Sequence, residues 1–151
     1  MKNASNPSNS TQNLKLITQD CVEVSAGLVF RDGKLLITQR RPKDHLGGLW
    51  EFPGGKRECQ ETDEACLRRE LHEELGIKVA VKELIETLQH DYPGKSVRLK
   101  FFRCALLKNE PVALGCEAVA WVNAAQLENY AFPEADQRLL GKLRASPELW
   151  K

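Results

Sequence analysis

Glu70, Glu73 and Glu74 fall within one turn of a segment that reads as a helix, with Arg69 beside them. At about 100° per residue the three carboxylates project from one face, and Leu67, Leu71 and Leu75 form an apolar stripe alongside. Like charges three and four residues apart on a helix repel by roughly 0.2–0.5 kcal/mol per pair. A cation would compensate them, and clustered oxygen ligands suit Mg²⁺, with Mn²⁺ able to substitute. A solvated charged face is the plainer reading of the same residues. The preceding segment, Glu51-Phe52-Pro53-Gly54-Gly55-Lys56, weighs toward chemistry. It reads as a glycine turn where the backbone can approach a ligand or metal closely, followed by a lysine able to meet an anion.

From Gly55 to Ile77 the chain runs Gly, five residues, Glu61, seven residues, then Arg69-Glu70-Leu71, one residue, Glu73-Glu74, one residue, Gly76-Ile77. This resembles the Nudix box, with every fixed position filled. The resemblance implies an α/β fold, an α/β/α sandwich with a mixed central β-sheet. It also implies metal-dependent hydrolysis of a nucleoside diphosphate linked to another moiety. By the same resemblance Glu70, Glu73 and Glu74 hold the metal, and the Gly54 backbone carbonyl can join them. Lys56 sits near the phosphates, and Arg69 pairs with Glu61 to brace the loop against the helix. An Arg69–Glu73 pair along an exposed helix is the simpler alternative for Arg69. Many relatives place a catalytic Glu six residues before a Trp. Here Trp121 is the landmark, but the sixth residue before it is Gly115. Glu117, four before, is either the general base or a solvated acid, and Glu73 or Glu74 can activate water without it.

Outside the box, Thr38-Gln39-Arg40-Arg41, Leu49 to Lys56 and Phe132-Pro133-Glu134-Ala135-Asp136 are similar to the MutT branch, which splits nucleoside triphosphates into monophosphate and pyrophosphate. The match implies that Arg40 contacts phosphate or base and that Phe52 packs on the base. Asp136 stands where the branch often has an Asn that reads the base edge, and Tyr92 and Lys95 flank a turn that also bears on base choice. Surface charge, core packing and a first-turn helix acid are the respective alternatives for Arg40, Phe52 and Asp136. An ionised Asp only accepts hydrogen bonds and suits an exocyclic amine such as that of cytosine. A protonated one, like Asn, also donates and can read an oxidised guanine. The expected substrate is therefore 8-oxo-dGTP, with CTP or 5-methyl-dCTP as the alternative. A damaged-DNA recognition module without catalysis is the reading from another class.

The elements that must position these residues follow from patterning. Val22, Val24, Ala26, Leu28 and Phe30 alternate, Asp32-Gly33 is a hairpin turn, and Lys34 to Gln39 resumes a β-rich run. A short strand is expected at Leu49 to Phe52. Thr62 caps a helix from about Asp63 to Leu75, with Gly76 past its end. Strands near Val79 to Leu84 and Glu86 to Tyr92 precede a Pro93-Gly94 turn, with the second of them forming a long hairpin with Val97 to Leu107. Another strand follows at Ala118 to Val122. Asn123 caps a short helix, and Pro133 opens a final one from about Glu134 to Ala145.

Residues 1–19, rich in Asn, Ser, Thr and Gln, are expected to be a disordered or frayed tail before a single domain at 20–151. With 22 basic and 21 acidic residues, no bulk field draws the chain onto nucleic acid or a membrane. The expected partner is a nucleoside triphosphate, bound by a monomer or homodimer. Five cysteines without CxxC spacing suggest neither a disulfide framework nor a zinc site. Together with the lack of a signal-like apolar run, this makes the cytoplasm the expected location.

Overall fold

The computed structural model describes residues 20–151; the tail expected at 1–19 lies outside the described residues. Seven strands form one mixed sheet: β1 Asp20–Arg31, β2 Lys34–Gln39, β3 Trp50–Glu51, β4 Gly54–Lys56, β5 Lys78–Tyr92, β6 Lys95–Lys108 and β7 Ala118–Val122. The main path runs β3-β2-β1-β6-β5, with β4 added to β1 and β7 to β2. The β1–β6 pair is parallel, Ala26 lying opposite Phe101, and the other pairs are antiparallel. Helix α1 spans Asp63–Leu75 and α2 spans Gln137–Arg144.

Adjacent strand residues point to opposite faces, and here both faces are apolar. Val29, Leu36, Phe102 and Cys104 pack on Leu67, Leu71 and Leu75 of α1. Leu28, Leu35, Ile37, Phe101 and Val122 pack on the other side against Leu139, Leu140 and Leu143 of α2 and against Trp150. The result is the α/β/α sandwich. The β1–β2 hairpin turns through Asp32 and Gly33, both left-handed at φ 51° and 75°, as a two-residue turn of matching twist requires.

Helix α1 has the expected bounds. Thr62 Oγ1 accepts from the Ala65 N–H at 3.0 Å, and Gly76, at φ 71°, donates back to the His72 carbonyl. Three expectations need revision. Gly54-Gly55 is not a turn but the extended strand β4, paired with β1 at Ala26 and Ser25. The two strands expected around residue 85 are one, β5, carried past register shifts between Val81 and Glu86 by bulges. The last helix begins as a separate 3₁₀ turn at Glu134–Asp136, so α2 starts only at Gln137.

Candidate active site

Strand β4 lies edge-on to the carboxylate face of α1, and its two glycines make that contact possible. A Cβ at Gly54 would lie 2.0 Å from the Ser25 carbonyl oxygen, and one at Gly55 only 2.2 Å from Cδ of Glu70. Any other residue at either position would separate β4 from β1 or displace Glu70. Glycine is required here by close approach, not by a left-handed backbone.

Arg69 organises this face. Its Nε and Nη2 donate to the two oxygens of Glu61 at 2.7 and 3.0 Å, a fork-to-fork pair that ties the loop before α1 to the helix. Nη2 also reaches the Lys56 carbonyl at 3.1 Å, while Nη1 donates to Glu70 at 2.9 Å and Glu73 at 3.2 Å. Both sequence readings of Arg69 therefore hold together. The guanidinium keeps the Glu61 carboxyl at about 2, well below the usual carboxylate range, with the Glu58 backbone N–H, 3.0 Å from Glu61, assisting.

Glu74 turns inward. Burial pushes its carboxyl up to about 8, Glu51 and Glu70 add like-charge repulsion, and the Gly54 backbone and Arg40 pull weakly the other way. Among the described residues no three acidic, histidine or cysteine side chains converge as a closed cation site. Arg69 occupies Glu70 and Glu73 instead. The donor set nevertheless fits a divalent cation: oxygen ligands only, on one helix face, including a carboxyl that holds a proton where no cation offsets its neighbours.

Beside this face opens a cavity of about 360 Å³, lined by Arg40, Glu51, Phe52, Gly54, Gly55 and Lys56. Val97, Leu99 and Phe101 of β6 form its apolar wall, and Pro133 and Asp136 close it. Asp136 is buried, and its side chain makes no cap bond to α2. Burial, with Glu51 nearby, pushes its carboxyl up to about 6. Arg40 is held by Glu51 at 2.8 Å and by the His45 carbonyl at 2.6 Å.

The structure thus brings Arg40, Lys56, Gly54 and Asp136 to one cavity beside Glu70 and Glu74. Phe52 lines it but is only 4% exposed, stacked on Phe132 and edge-on to Phe101, so it is chiefly core. Tyr92 and Lys95 are not brought in: they pair at the exposed tip of the β5–β6 hairpin, beyond Val97, where the cavity wall begins. Glu117 is exposed, with its N–H bonded to the Gln39 carbonyl at 2.8 Å. Gly115 packs on Glu74, where a Cβ would lie 3.2 Å from the Glu74 Cγ and 3.3 Å from its Cα. A longer side chain is therefore crowded at that position. Sequence reasoning missed Glu51, whose half-buried carboxyl is raised by burial against the pull of Arg40. Its signal was a charged residue in a two-residue strand between Trp50 and Phe52.

Residues 25–142 match the NUDIX domain model. The chain belongs to the Nudix hydrolase family. An 8-oxo-dGTP diphosphatase of Proteus vulgaris is 44% identical over 90 residues, 59% of this chain and 80% of that one. A CTP pyrophosphohydrolase of Escherichia coli strain K12 is 35% identical over 119 residues, covering 79% and 88%. Among solved structures, a MutT from work on Aliivibrio salmonicida and Vibrio cholerae superimposes with a TM-score of 0.69 at 33% identity, covering 84% of this chain and 99% of that one. As a Nudix hydrolase the protein is an enzyme of a family that generally uses divalent metal. Among its described residues no helix is long and apolar enough to cross a membrane.

Proposed function

We propose that this Nudix hydrolase is a Mg²⁺-dependent nucleoside triphosphate pyrophosphohydrolase, releasing monophosphate and pyrophosphate, and that 8-oxo-dGTP is its main substrate in sanitising the nucleotide pool. The observation that carries this reading is one cavity lined both by two cations, Arg40 and Lys56, and by a buried, raised carboxyl, Asp136. Held by Glu70, Glu73, Glu74 and the Gly54 carbonyl, Mg²⁺ would supply counter-charge to the phosphates and acidify water. Lys56 and Arg40 meet the phosphate chain, and Arg69 and Glu61 keep Glu70 and Glu73 aimed. Glu73 or Glu74, on the helix face beside the cavity, accepts the proton of the attacking water.

Base choice falls to Asp136. Protonated, it both donates and accepts, which suits an amide-like edge such as that of 8-oxoguanine. A specific observation favours a second reading, CTP or 5-methyl-dCTP. In the free protein the carboxyl is raised only to about 6, so near neutral pH an acceptor faces the cavity, suited to a cytosine amine. A complete carboxylate set speaks against a damaged-DNA module without catalysis. A steady-state panel of 8-oxo-dGTP, dGTP, CTP and 5-methyl-dCTP tests the proposal. Higher kcat/KM for 8-oxo-dGTP than for the other three is expected; equal or higher values for CTP or dGTP would overturn the substrate assignment.

A further inference from the structure

Two of the five thiols are exposed, and both line a second cleft, of about 740 Å³, that shares Lys56 with the proposed nucleotide cavity. Cys21 lies at the start of β1 and Cys59 in the loop between β4 and α1. The other three, Cys66, Cys104 and Cys116, are buried, and burial pushes their thiols up to about 11, 12 and 11. They are packing residues, poor nucleophiles in that setting.

The β1–β4 pairing brings together the two segments that carry the exposed pair. Ala26 lies opposite Gly54, Ser25 opposite Gly55 and Val24 opposite Lys56. One step further the register sets Glu23 opposite Arg57, and there the Arg57 N–H does donate to the Glu23 carbonyl at 2.8 Å. The ladder goes no further: Cys21 lies two residues before Glu23 on β1, and Cys59 two residues after Arg57, beyond the end of β4. The Glu23–Arg57 bond thus holds the two segments together next to both thiols, and a disulfide would need their Cα atoms to come within roughly 4.4–6.8 Å. Beyond Glu58 the chain turns, with the Glu61 N–H bonded to the Glu58 carbonyl at 3.2 Å and Gln60 left-handed at φ 67°. Cys59 therefore sits in a turn rather than a ladder, in the lining of the same cleft as Cys21.

We propose that Cys21 and Cys59 are a reversible redox pair that closes to an intramolecular disulfide when a peroxide is the oxidant. One thiol gives up its proton and its thiolate attacks the peroxide; the O–O bond breaks, the sulfur becomes a sulfenic acid, and the hydroxide that leaves takes that proton as the first water. The second sulfur then attacks the sulfenic sulfur and the S–S bond forms. The hydroxide that leaves takes the second thiol's proton as another water. The two thiols together lose two electrons, which reduce the peroxide, and a dithiol reductant reverses the step. The bond would staple β1 to the loop from which Glu61 holds Arg69, modifying no group of the proposed nucleotide site.

The test uses the full chain, treated with hydrogen peroxide or with dithiothreitol, and reads intact mass, non-reducing peptide maps and thermal melting. Expected are a monomer lighter by two hydrogens, a linked peptide pair containing Cys21 and Cys59, and a Tm raised by about 5 °C or more, because the bond closes a long loop of the unfolded chain. Dithiothreitol should reverse all three, and C21S and C59S should each abolish them. The proposal is overturned by added oxygen on either thiol without a link, by a covalent dimer, by two-hydrogen loss that survives in C21S, or by a link that leaves Tm unchanged. None of these readouts involves turnover, so the result is independent of the substrate proposed above.

Discussion

Gly54 and Gly55 are neighbours in one short strand, yet replacing each by alanine should fail in a different way. At Gly55 the new Cβ would lie 2.2 Å from Cδ of Glu70 and 2.3 and 2.7 Å from its two oxygens. Ordinary carbon contacts are about 3.5–4.0 Å, so the Glu70 carboxylate must retreat by about 1 Å or more. It can do so, because it is the far end of a flexible side chain with 21% exposure, but the 2.9 Å bond from Arg69 Nη1 is then lost. A displacement of about 1 Å in a group that positions the reacting atoms costs on the order of 10²-fold in rate. At Gly54 the obstacle is the Ser25 carbonyl oxygen at 2.0 Å and the Ala26 Cα at 2.7 Å, backbone on both counts. There β4 must part from β1, at a stability cost of about 3 kcal/mol or more. Hydrolysis of 8-oxo-dGTP at saturating Mg²⁺, read beside thermal melting, separates the two. Gly55→Ala should melt within a few degrees of the parent while kcat falls about 100-fold; Gly54→Ala should show a lowered Tm first. A Gly55→Ala protein with kcat within about threefold of the parent would refute the claim that this glycine exists to admit Glu70.

Three further outcomes follow from the charged groups. Glu61→Gln removes the charge that holds Arg69 and should lower kcat by about 10- to 100-fold with KM little changed. Because the folded Glu61 carboxyl sits at about 2, below its ordinary 4.5, its contribution to stability is present above pH 4.5 and is lost as pH falls toward 2. Acid melting of the parent and of Glu61→Gln should therefore converge at the low end of that range. Glu74, raised to about 8, holds a proton that a cation bound at the proposed site would have to displace. The Mg²⁺ concentration for half-activation should therefore rise about tenfold per unit as pH drops below 8, and this dependence should vanish in Glu74→Gln. Asp136, raised from 3.8 to about 6, is most favourable to the fold below pH 3.8 and loses that advantage progressively as pH rises from there through about 6. The stability gain of Asp136→Asn over the parent should thus grow from about pH 4 to about pH 6 and stay level up to pH 8, by chemical denaturation. The parent's preference for 8-oxo-dGTP over CTP should weaken across pH 6, whereas the variant's should stay flat.

The local sequence determined the helix that carries the carboxylates, residue for residue, because its signals are local: Thr62 caps one end, Gly76 ends the other, and Leu67, Leu71 and Leu75 repeat at the helical period. The hairpin through Asp32-Gly33 and the strand Ala118–Val122 were legible for similar reasons. The tertiary structure alone decided what lies opposite what. Gly54 and Gly55 read as a turn because glycine usually relieves a strained backbone. They are extended because a neighbouring strand and Glu70 leave no room for a Cβ, a constraint set by residues about 15 to 30 positions away. The Tyr92–Lys95 turn lies in the likeness to the MutT branch but ends at a hairpin tip, since a long strand can carry a turn well past the cavity that its middle lines. Glu51 carries no motif; its importance arises from standing between Arg40, Glu74 and Asp136. The types and spacing of residues disclose which chemistry a chain can hold, because those depend on one helix. Charge strengths and cavity walls depend on burial and on strands brought together from distant parts of the chain, and burial exists only once the sheet has closed.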